Sequence, residues 1–367
     1  MNALMLPSNW QRVRLGDIAE IKRGIRITKN ELDVFGKYPV VSGGVGFLGY
    51  TNNFNRYENT ITIAQYGTAG YVNFQKNKFW ANDICFCVYP NKDVIKNIFL
   101  YYFLKVNQNY LYEISNRNAT PYSISKDKIL DFEILLPPLN EQIAIANILS
   151  DVDHYLYSLD ALILKKESVK KALSFELLSQ RKRLKGFNQN WQRVRLGDIL
   201  SYEQPTKFLV ATTQYLQKGF TPILTAGKTF ILGYTNDKHG IYTNIPVIIF
   251  DDFTTDSKMV NFPFKVKSSA IKILSLRDNN QADLKYIYEK LTLLKHQVTD
   301  HKRYWIDEFS NIEILLPPLN EQIAIANILS DVDHEIISLK NKKRQFENIK
   351  KALNHDLMSA KIRVLNK

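Results

Sequence analysis

The sequence is poor in cysteine. Its 367 residues include only Cys85 and Cys87, which stand two positions apart in the segment DICFCVY. Residues two apart on a strand share one face, so this pair cannot provide a disulfide framework, and the six histidines are too scattered to complete a metal site. We therefore predict ordinary strand thiols, no bound metal, and a reducing, cytoplasmic compartment.

Long apolar runs are also missing. No stretch of 18 apolar residues occurs, so no membrane-spanning helix is expected. The N-terminal segment MNALMLPSNW has no basic region followed by an apolar one, which argues against secretion.

Catalytic signatures are absent as well. The sequence contains no G-x-S-x-G, no H-E-x-x-H and no carboxylate cluster with nuclease spacing. An adenine methyltransferase would carry an amide or acid before two prolines and an aromatic, but residues 136–139 read LPPL and residues 119–122 read ATPY. A literal G-x-G-x-x-G at 44–49 leads into the turn residues YTNN, and the GKT at 227–229 lacks the upstream glycine of a phosphate loop. The sequence predicts neither an enzyme nor a cofactor site.

The charge balance is positive. Lysine and arginine number 49 against 36 acidic residues, a net charge of +13, which favours a polyanionic partner, and nucleic acid over a membrane surface. Hydrophobic residues make up 45% of the chain, so it can form packed cores, and its length allows two domains.

A long internal repeat organises the chain. Residues 133–154, EILLPPLNEQIAIANILSDVDH, recur without a substitution at 313–334. A shorter block, NWQRVRLGDI at 9–18, recurs at 190–199, and LGYTN at 48–52 recurs at 232–236. The chain is therefore two units laid end to end.

The stretches between the repeats differ in sequence but are both β-rich. Short segments such as NTITIAQYG, FWANDICFCVY and IPVIIFDD are β-branched or aromatic and bounded by turn residues. A helix is predicted near the end of each stretch, at 94–107 and at 284–294. We predict a mixed α/β (α+β) domain from each.

Each 22-residue repeat opens a long helix, predicted over 139–185 and 319–364. Two prolines at 137–138 stop the preceding strand, Asn140 is predicted as the N-cap, and Glu141 suits the positive end of the helix dipole. Apolar residues recur at heptad spacing, and a helix of this length needs a partner. The available partner is its own duplicate, in an antiparallel coiled coil that serves as a spacer.

Two variable α/β domains, each followed by LPPLNEQIAIANILSDVD and a long helix, resemble the specificity subunit of type I restriction–modification systems. WQRVRLGDI, the QYGTAG at 65–70 and the PPLNEQ helix start carry the resemblance, which covers nearly the whole chain. It implies target recognition domains at 1–138 and 187–318 and repeated helices at 139–186 and 319–367, in a pseudo-two-fold arrangement. It also implies a non-catalytic, cofactor-free subunit that binds bipartite double-stranded DNA and recruits two methyltransferase subunits and the restriction subunits. The assembled complex would be an adenine-specific DNA methyltransferase and ATP-dependent endonuclease.

Residue chemistry suggests which side chains meet DNA. Glycine allows close backbone approach, glutamine can pair with adenine and arginine with guanine, and a carboxylate can accept from a cytosine amino group. For a single lysine or arginine the alternative is a surface position or a phosphate contact, and for the Asp251-Asp252 pair it is a solvated turn. We predict contacts in the first domain at Lys22, Arg23, Arg26, Ser42, Gly43, Gly44, Gln65, Tyr66, Arg117 and Tyr122. In the second domain we predict them at Lys207, Gly227, Lys228, Asp251, Asp252, Lys258, His301, Lys302, Arg303 and Tyr304.

The identity of the two helix starts predicts docking of two identical partners. The candidate residues are Asn140, Glu141, Gln142, Asp151 and Asp153, with their equivalents Asn320, Glu321, Gln322, Asp331 and Asp333. The alternative is that the acids only solvate the helix. Two other functions stay open: a stand-alone DNA-binding or regulatory protein, and a coiled-coil scaffold for proteins.

Overall fold

A computed structural model describes residues 7–211, 214–226, 229–294 and 303–364. The chain divides into two compact units. Unit 1 comprises Met1–Ala161 and Asn341–Lys367, and unit 2 comprises Leu162–Lys340. Each unit thus combines one variable domain with part of both long helices.

Among its described residues, unit 1 has nine strands and four short α-helices, followed by the first part of a long helix. The strands are β1 (Gln11–Arg14), β2 (Ala19–Arg23), β3 (Tyr38–Val41), β4 (Gly49–Thr51), β5 (Thr60–Ala64), β6 (Val72–Gln75), β7 (Trp80–Ala81), β8 (Cys85–Pro90) and β9 (Glu133–Leu136). The helices are α1 (Leu15–Ile18), α2 (Asn97–Val106), α3 (Gln108–Glu113), α4 (Lys126–Leu130) and the long α5 (Leu139–Leu178).

Three sheets form from these strands. The main sheet has the order β2-β8-β5-β6, the small sheet has the order β4-β3-β7, and β1 pairs with β9. Phe86 and Val88 of β8 pack in the cluster that contains α2, whereas Cys85 and Cys87 pack against Val41, Phe79 and Ala81 on the opposite face. The main sheet therefore lies between a helical layer and the small sheet, and the prediction of two strand thiols on one face is confirmed.

Unit 2 repeats this order. Its strands are β10 (Gln192–Arg195), β11 (Leu200–Glu203), β12 (Thr221–Leu224), β13 (Ile231–Thr235), β14 (Val247–Asp251), β15 (Ser257–Val260), β16 (Lys265–Val266), β17 (Ile271–Leu276) and β18 (Glu313–Leu316). Its helices are α6 (Leu196–Ile199), α7 (Leu284–Leu293), α8 (Tyr304–Asp307) and the long α9 (Leu319–Met358). The main sheet is β11-β17-β14-β15, the small sheet is β13-β12-β16, and β10 pairs with β18. The predicted mixed fold and its duplication are confirmed.

The two repeated blocks of sequence pair with each other. In β1 and β9, Gln11 lies opposite Leu136; in β10 and β18, Gln192 lies opposite Leu316 in the same register. The repeated WQRVR and EILL segments therefore form the same two-stranded sheet in each unit, and the long helix begins shortly after the second strand.

Both long helices begin at the predicted residue but end earlier than predicted. Each has 40 residues, about 60 Å at 1.5 Å per residue, instead of the expected 47 or so. The chain leaves the helix where Gln180 and Ala360 adopt positive φ values of 63° and 59°. A left-handed residue past the last turn terminates a helix, and it is usually glycine. Because glutamine and alanine stand there instead, the sequence carries no stop signal.

Within each unit the long helices run antiparallel, as predicted. In unit 1, Lys350 binds Asp153 and Lys343 binds Asp160 at 2.6 Å, so residue numbers rise on one helix as they fall on the other. In unit 2, Lys170 binds Asp333 at 2.5 Å and Lys340 binds Glu167 at 2.6 Å. The Lys350–Asp153 and Lys170–Asp333 pairs occupy equivalent places in the repeat.

Two local predictions were wrong. Asn140 is not the N-cap, because the helix already begins at Leu139 and the Asn140 side chain only accepts from the next amide, at 3.0 Å. The segment FWANDICFCVY is not one strand, because Asn82 and Asp83 interrupt it between β7 and β8.

Candidate nucleic-acid interface

The loop after β3 and the segment after β5 meet at the edge of the main sheet in unit 1. The backbone amide and hydroxyl of Thr68 donate to the Gly43 carbonyl at 2.9 and 2.6 Å. A Cβ on Gly43 would lie 2.2 Å from the Tyr66 carbonyl oxygen, so only glycine fits this close approach. The structure thus brings together the two segments that contain the predicted contact residues Gly43 and Tyr66.

These segments line an open cleft with a volume of about 550 Å³. The residues of its walls are Ser42, Gly43, Gly44, Gly46, Phe47, Leu48, Tyr66, Gly67, Thr68, Ile84 and Pro121. Four of these residues are glycines, which expose backbone, and Phe47 and Tyr66 contribute aromatic rings. Such a surface suits close contact with a flat, polar-edged ligand such as a base pair.

Gln65 begins the segment after β5. Its backbone is fixed by two hydrogen bonds, to the Ile84 carbonyl and from the Ile124 amide, both at 2.9 Å. Its side-chain Oε1 is buried and has no hydrogen-bond partner among the described residues. A buried acceptor without a donor costs free energy, which a ligand donor in this position would recover.

Asn82 was missed by the sequence analysis, yet it ties the site together. It is buried, its Oδ1 accepts from the amides of Ile27 and Asp83 at 3.1 and 2.9 Å, and its Nδ2 donates to the Ser42 hydroxyl at 3.2 Å. The interruption of an otherwise apolar run by Asn82-Asp83 was the available signal.

The predicted cations of unit 1 differ in their contacts. Arg23 donates from Nε to the Asp83 carbonyl at 2.6 Å, whereas Lys22 pairs with Glu20 at 3.0 Å and Arg26 is exposed. Arg117 lies over the rings of Tyr112 and Tyr122 at 5.3 and 5.2 Å. Tyr122 is exposed, and its carbonyl accepts from the Gly67 amide, which connects Arg117 to the cleft.

The equivalent position in unit 2 follows from strand register. Ala64 lies opposite Cys85 in unit 1, and Asp251 lies opposite Ile271 in unit 2, so Asp252 corresponds to Gln65. Two candidate segments that were chosen independently therefore occupy the same place in the duplicated fold.

The prediction that Asp252 contacts DNA must nevertheless be corrected. Its carboxylate is buried, pairs with the buried ammonium of Lys272 at 2.8 Å and accepts from the Trp305 amide at 3.0 Å. Asp251 is also buried and accepts from the Phe253 amide and the Thr254 hydroxyl, both at 2.8 Å. The pair forms neither a base-reading site nor a solvated turn.

The remaining candidates of unit 2 divide by exposure. Lys207 and Arg303 are exposed, and Lys258 lies over the Phe230 ring at 4.5 Å. Tyr304 is 1% exposed, so its predicted DNA contact must also be corrected. The predicted residues Gly227, Lys228, His301 and Lys302 lie outside the described residues.

The predicted docking residues also separate into two groups. Glu141, Gln142, Glu321 and Gln322 are buried, so they are not part of an exposed docking surface. Gln142 donates from Nε2 to the Pro137 and Val94 carbonyls at 2.8 and 3.1 Å, which ties the start of α5 to the segment before α2.

Asp153 and Asp333 are half-buried and ion-paired within their units. Burial would raise the pKa of the Asp333 carboxyl, but hydrogen bonds from Lys170 and Lys285 outweigh burial and lower it. Asn140, Asp151, Asn320 and Asp331 remain exposed.

In the described part of the chain, no group of three or more His, Cys, Asp or Glu side chains is arranged to hold a metal ion. Among the same residues, no helix combines the length and apolarity needed to cross a membrane.

Comparison with known proteins gives consistent matches. The sequence model of the "Type I restriction modification DNA specificity domain" family matches residues 7–166 and 188–348. The chain is similar to the EcoR124I/EcoR124II specificity subunit of Escherichia coli, 46% identical over 166 residues, which span 44% of this chain and 39% of that protein. It is also similar to the MjaVIII specificity subunit of Methanocaldococcus jannaschii, 24% identical over 100% of this chain and 96% of that protein.

The fold is similar to the crystal structure of a type I restriction–modification S subunit from M. genitalium. The TM-score is 0.71 at 21% identity, covering 96% of this chain and 98% of that one. Because the family model matches twice and covers most of the chain, the protein belongs to the family of type I restriction–modification DNA specificity subunits.

Proposed function

We propose that this chain reads a bipartite double-stranded DNA site, one half-site per unit, and recruits methyltransferase and restriction subunits to it. The observation that carries the proposal is that one frame holds different residues in each unit. Two positions after the equivalent strands β5 and β14, unit 1 has Tyr66 and unit 2 has Phe253. Equivalent placement with different chemistry supports two different half-site sequences.

The exposed cations supply the sequence-independent part of binding. Arg26, Arg117, Lys207 and Arg303 are exposed side chains of the variable domains. Phosphate contacts of this kind position a protein on DNA, and affinity then falls with salt in proportion to their number. Gln65 and the cleft beside Tyr66 are the proposed base-reading elements of unit 1.

The long helices serve in this proposal as the spacer between half-sites. We suggest inserting seven residues into both α5 and α9, which preserves the apolar repeat and adds about 10 Å of helix. The gap between half-sites should widen by about three base pairs, at 3.4 Å per step, with both half-sites unchanged. Selection of bound duplexes from a random pool measures both quantities, and an unchanged gap would contradict the spacer role.

An exposed stripe on the repeated helix start is the proposed docking surface for the methyltransferase. Asn140, Ile143, Asn147, Asp151 and His154 are all exposed and recur at three- or four-residue spacing, which places them on one helix face. The equivalent stripe in unit 2 is also exposed: Asn320, Ile323, Asn327, Asp331 and His334. An isoleucine exposed in both copies is suited to a pocket on a common partner.

The docking surface is tested with the double variant Ile143→Asp/Ile323→Asp. Copurification of the methyltransferase subunit should be lost while DNA binding by the full chain is retained. Leu164→Asp is the matched control, because Leu164 is 64% exposed on α5 outside the repeated block. Undiminished assembly in the double variant would refute this surface. Tight, sequence-specific binding without any partner would favour a stand-alone regulator, and no DNA binding even with the methyltransferase present would favour a scaffold.

A further inference from the structure

The most exposed phenylalanine of each unit precedes the first strand of the small sheet. Phe35 is 93% exposed shortly before β3, and Phe220 is 91% exposed immediately before β12. An exposed phenylalanine forgoes the free energy that burial of its ring would contribute. The same feature at the corresponding end of both small sheets suggests a role common to the two units.

The turn around Phe35 is rigid. Asp33 accepts at Oδ1 from the Phe35 amide at 2.9 Å, and its carbonyl accepts from the Gly36 amide at 3.0 Å. Asn52 donates from Nδ2 to the other Asp33 carboxylate oxygen at 2.6 Å. The turn therefore presents Phe35 in a preorganised position, which lowers the ordering cost of binding.

In unit 2 the equivalent asparagine, Asn236, contacts the turn. Phe220 donates its amide to Oδ1 of Asn236 at 3.2 Å, and Asn236, like Asn52, is the last residue of the repeated LGYTN segment. The last residue of this repeat thus contacts the aromatic turn in both units, through its Nδ2 in unit 1 and its Oδ1 in unit 2.

The two turns carry the same three residue types in opposite order. Tyr38 and Thr221 pair with the equivalent residues Thr51 and Thr235, which aligns Phe35-Gly36-Lys37 with Lys218-Gly219-Phe220. A Cβ on Gly36 would lie 2.5 Å from the Thr51 amide nitrogen, and one on Gly219 would lie 2.9 Å from Tyr234 Cβ. Lys37 and Lys218 are exposed, and the Lys37 ammonium lies 5.4 Å from the centroid of the Tyr38 ring. Each turn thus combines an apolar ring with an exposed ammonium group.

We propose that Phe35 and Phe220 insert as apolar wedges at a base step of the bound duplex, one in each half-site, with Lys37 and Lys218 on the adjacent phosphates. DNA-binding proteins insert phenylalanine or aliphatic side chains between base pairs and so unstack them. The lysines make the turns complementary to a polyanion. A common protein partner fits less well, because the order of ring and charge differs between units whereas the repeated helix starts are identical.

The position of the wedge agrees with the cleft of unit 1. Phe35 and the cleft loop lie at opposite ends of β3, whose four residues span about 13 Å at 3.3 Å per residue. That distance is about four base-pair steps. The wedge and the cleft can therefore engage the same half-site.

This inference rests on the proposed function, and the test separates the two. Duplex selected from a random pool by the wild-type chain is labelled with 2-aminopurine at successive positions and titrated with the full chain. Wild type should raise the fluorescence at one step in each half-site. Phe35→Ala should abolish the increase in the first half-site only, and Phe220→Ala in the second only. Affinity should fall about tenfold in each variant with an unchanged salt slope, since aromatic contacts to bases are worth about 1–3 kcal/mol.

Three control variants distinguish a wedge from a general effect of losing an exposed aromatic side chain. Tyr157→Ala removes a 77% exposed aromatic from α5 and should change neither signal nor affinity. Phe35→Leu and Phe220→Leu should retain part of the fluorescence increase. Wild-type fluorescence and affinity in both alanine variants would overturn the wedge, and loss of the methyltransferase from these variants would assign the turns to a protein partner instead. If the wild-type chain selects no duplex, alone or with the methyltransferase, the proposed function itself fails.

Discussion

Arg363 and Glu141 form a two-point ion pair in unit 1. Arg363 donates from Nε and Nη2 to the two carboxylate oxygens at 2.7 and 2.9 Å, and Trp10 adds its indole N–H at 3.1 Å. In unit 2, Arg183 and Trp191 bind Glu321 in the same way, at 2.7 and 3.0 Å for the shortest contacts. Each repeated glutamate, at the start of one long helix, thus binds a tryptophan from the start of its own unit's variable domain and an arginine that follows the other long helix.

Loss of this arginine should destabilise the protein. Arg363→Ala leaves the 2% exposed Glu141 carboxylate with Trp10 alone, and we expect a loss of about 2–3 kcal/mol in the free energy of unfolding. Urea unfolding measures the change. Arg12→Ala is the matched control, because the Arg12–Glu133 pair is exposed and should contribute no more than about 0.5 kcal/mol. Adding Glu141→Gln should restore part of the loss, and equal effects for Arg363→Ala and Arg12→Ala would contradict this account.

Acid should weaken unit 2 through Asp333. The pKa of this carboxyl is lowered in the folded protein, since the bonds from Lys170 and Lys285 outweigh burial. Its contribution is therefore complete above the unfolded pKa of about 4 and is lost as the pH falls through the lower folded value. The difference in unfolding free energy between wild type and Asp333→Asn should be constant from pH 5 to 7 and shrink below pH 4. A difference that grows in acid would show that the sign is wrong.

Glycine at the left-handed ends of the long helices should stabilise the protein. Gln180 and Ala360 have positive φ, where a Cβ costs roughly 1–2 kcal/mol, partly offset by the greater freedom that glycine gains in the unfolded chain. We expect Ala360→Gly and Gln180→Gly each to gain about 0.5–1 kcal/mol, measured by thermal or urea unfolding. Ala352→Gly, in the interior of α9, should instead cost about 1 kcal/mol. Destabilisation by the first two changes would refute the assignment.

Removal of the Asn82 side chain should loosen the cleft of unit 1. Asn82→Ala leaves the amide of Ile27 and the hydroxyl of Ser42 without this partner, at a cost of about 2 kcal/mol. Because the contacts lie in unit 1, selection from a random pool should give a relaxed first half-site and an unchanged second one. Asn82→Asp keeps the acceptor for Ile27 and should be milder. Equal relaxation of both half-sites would argue against a local role.

The sequence predicted the features that depend on repetition and periodicity. The identical 22-residue blocks predicted the duplicated fold, and the apolar heptads predicted the antiparallel pairing that Lys343–Asp160 and Lys340–Glu167 now display. Helix starts were predicted from the proline pair. Helix ends were not, because Gln180 and Ala360 adopt a conformation for which glycine is the usual sign.

Site residues were harder to predict because their roles depend on partners distant in sequence. Asp252 ends an apolar strand and resembles a free turn carboxylate, but Lys272 on the neighbouring strand neutralises it. The position of Glu141 in the first turn predicts an exposed partner of the helix dipole. Its actual partner, Arg363, lies more than 200 residues later in the sequence, and the carboxylate is buried. Asn82 interrupts an apolar run, but its role depends on Ile27 and Ser42, which lie 55 and 40 residues earlier in the sequence.

The contacts of Glu141 and Glu321 bear on the order in which the two units can follow each other along the chain. In unit 2, Arg183 and Trp191 reach Glu321 from a single short connection, whereas in unit 1 Arg363 and Trp10 reach Glu141 from opposite ends of the described chain. The two residues that bind the glutamate are thus joined by a short stretch of chain in unit 2. In unit 1 no such stretch joins them, and these side-chain contacts link the two segments. A gene rearranged to open the chain within residues 184–190 and to join residue 364 to residue 7 through a short linker would encode the same two units in the reverse order.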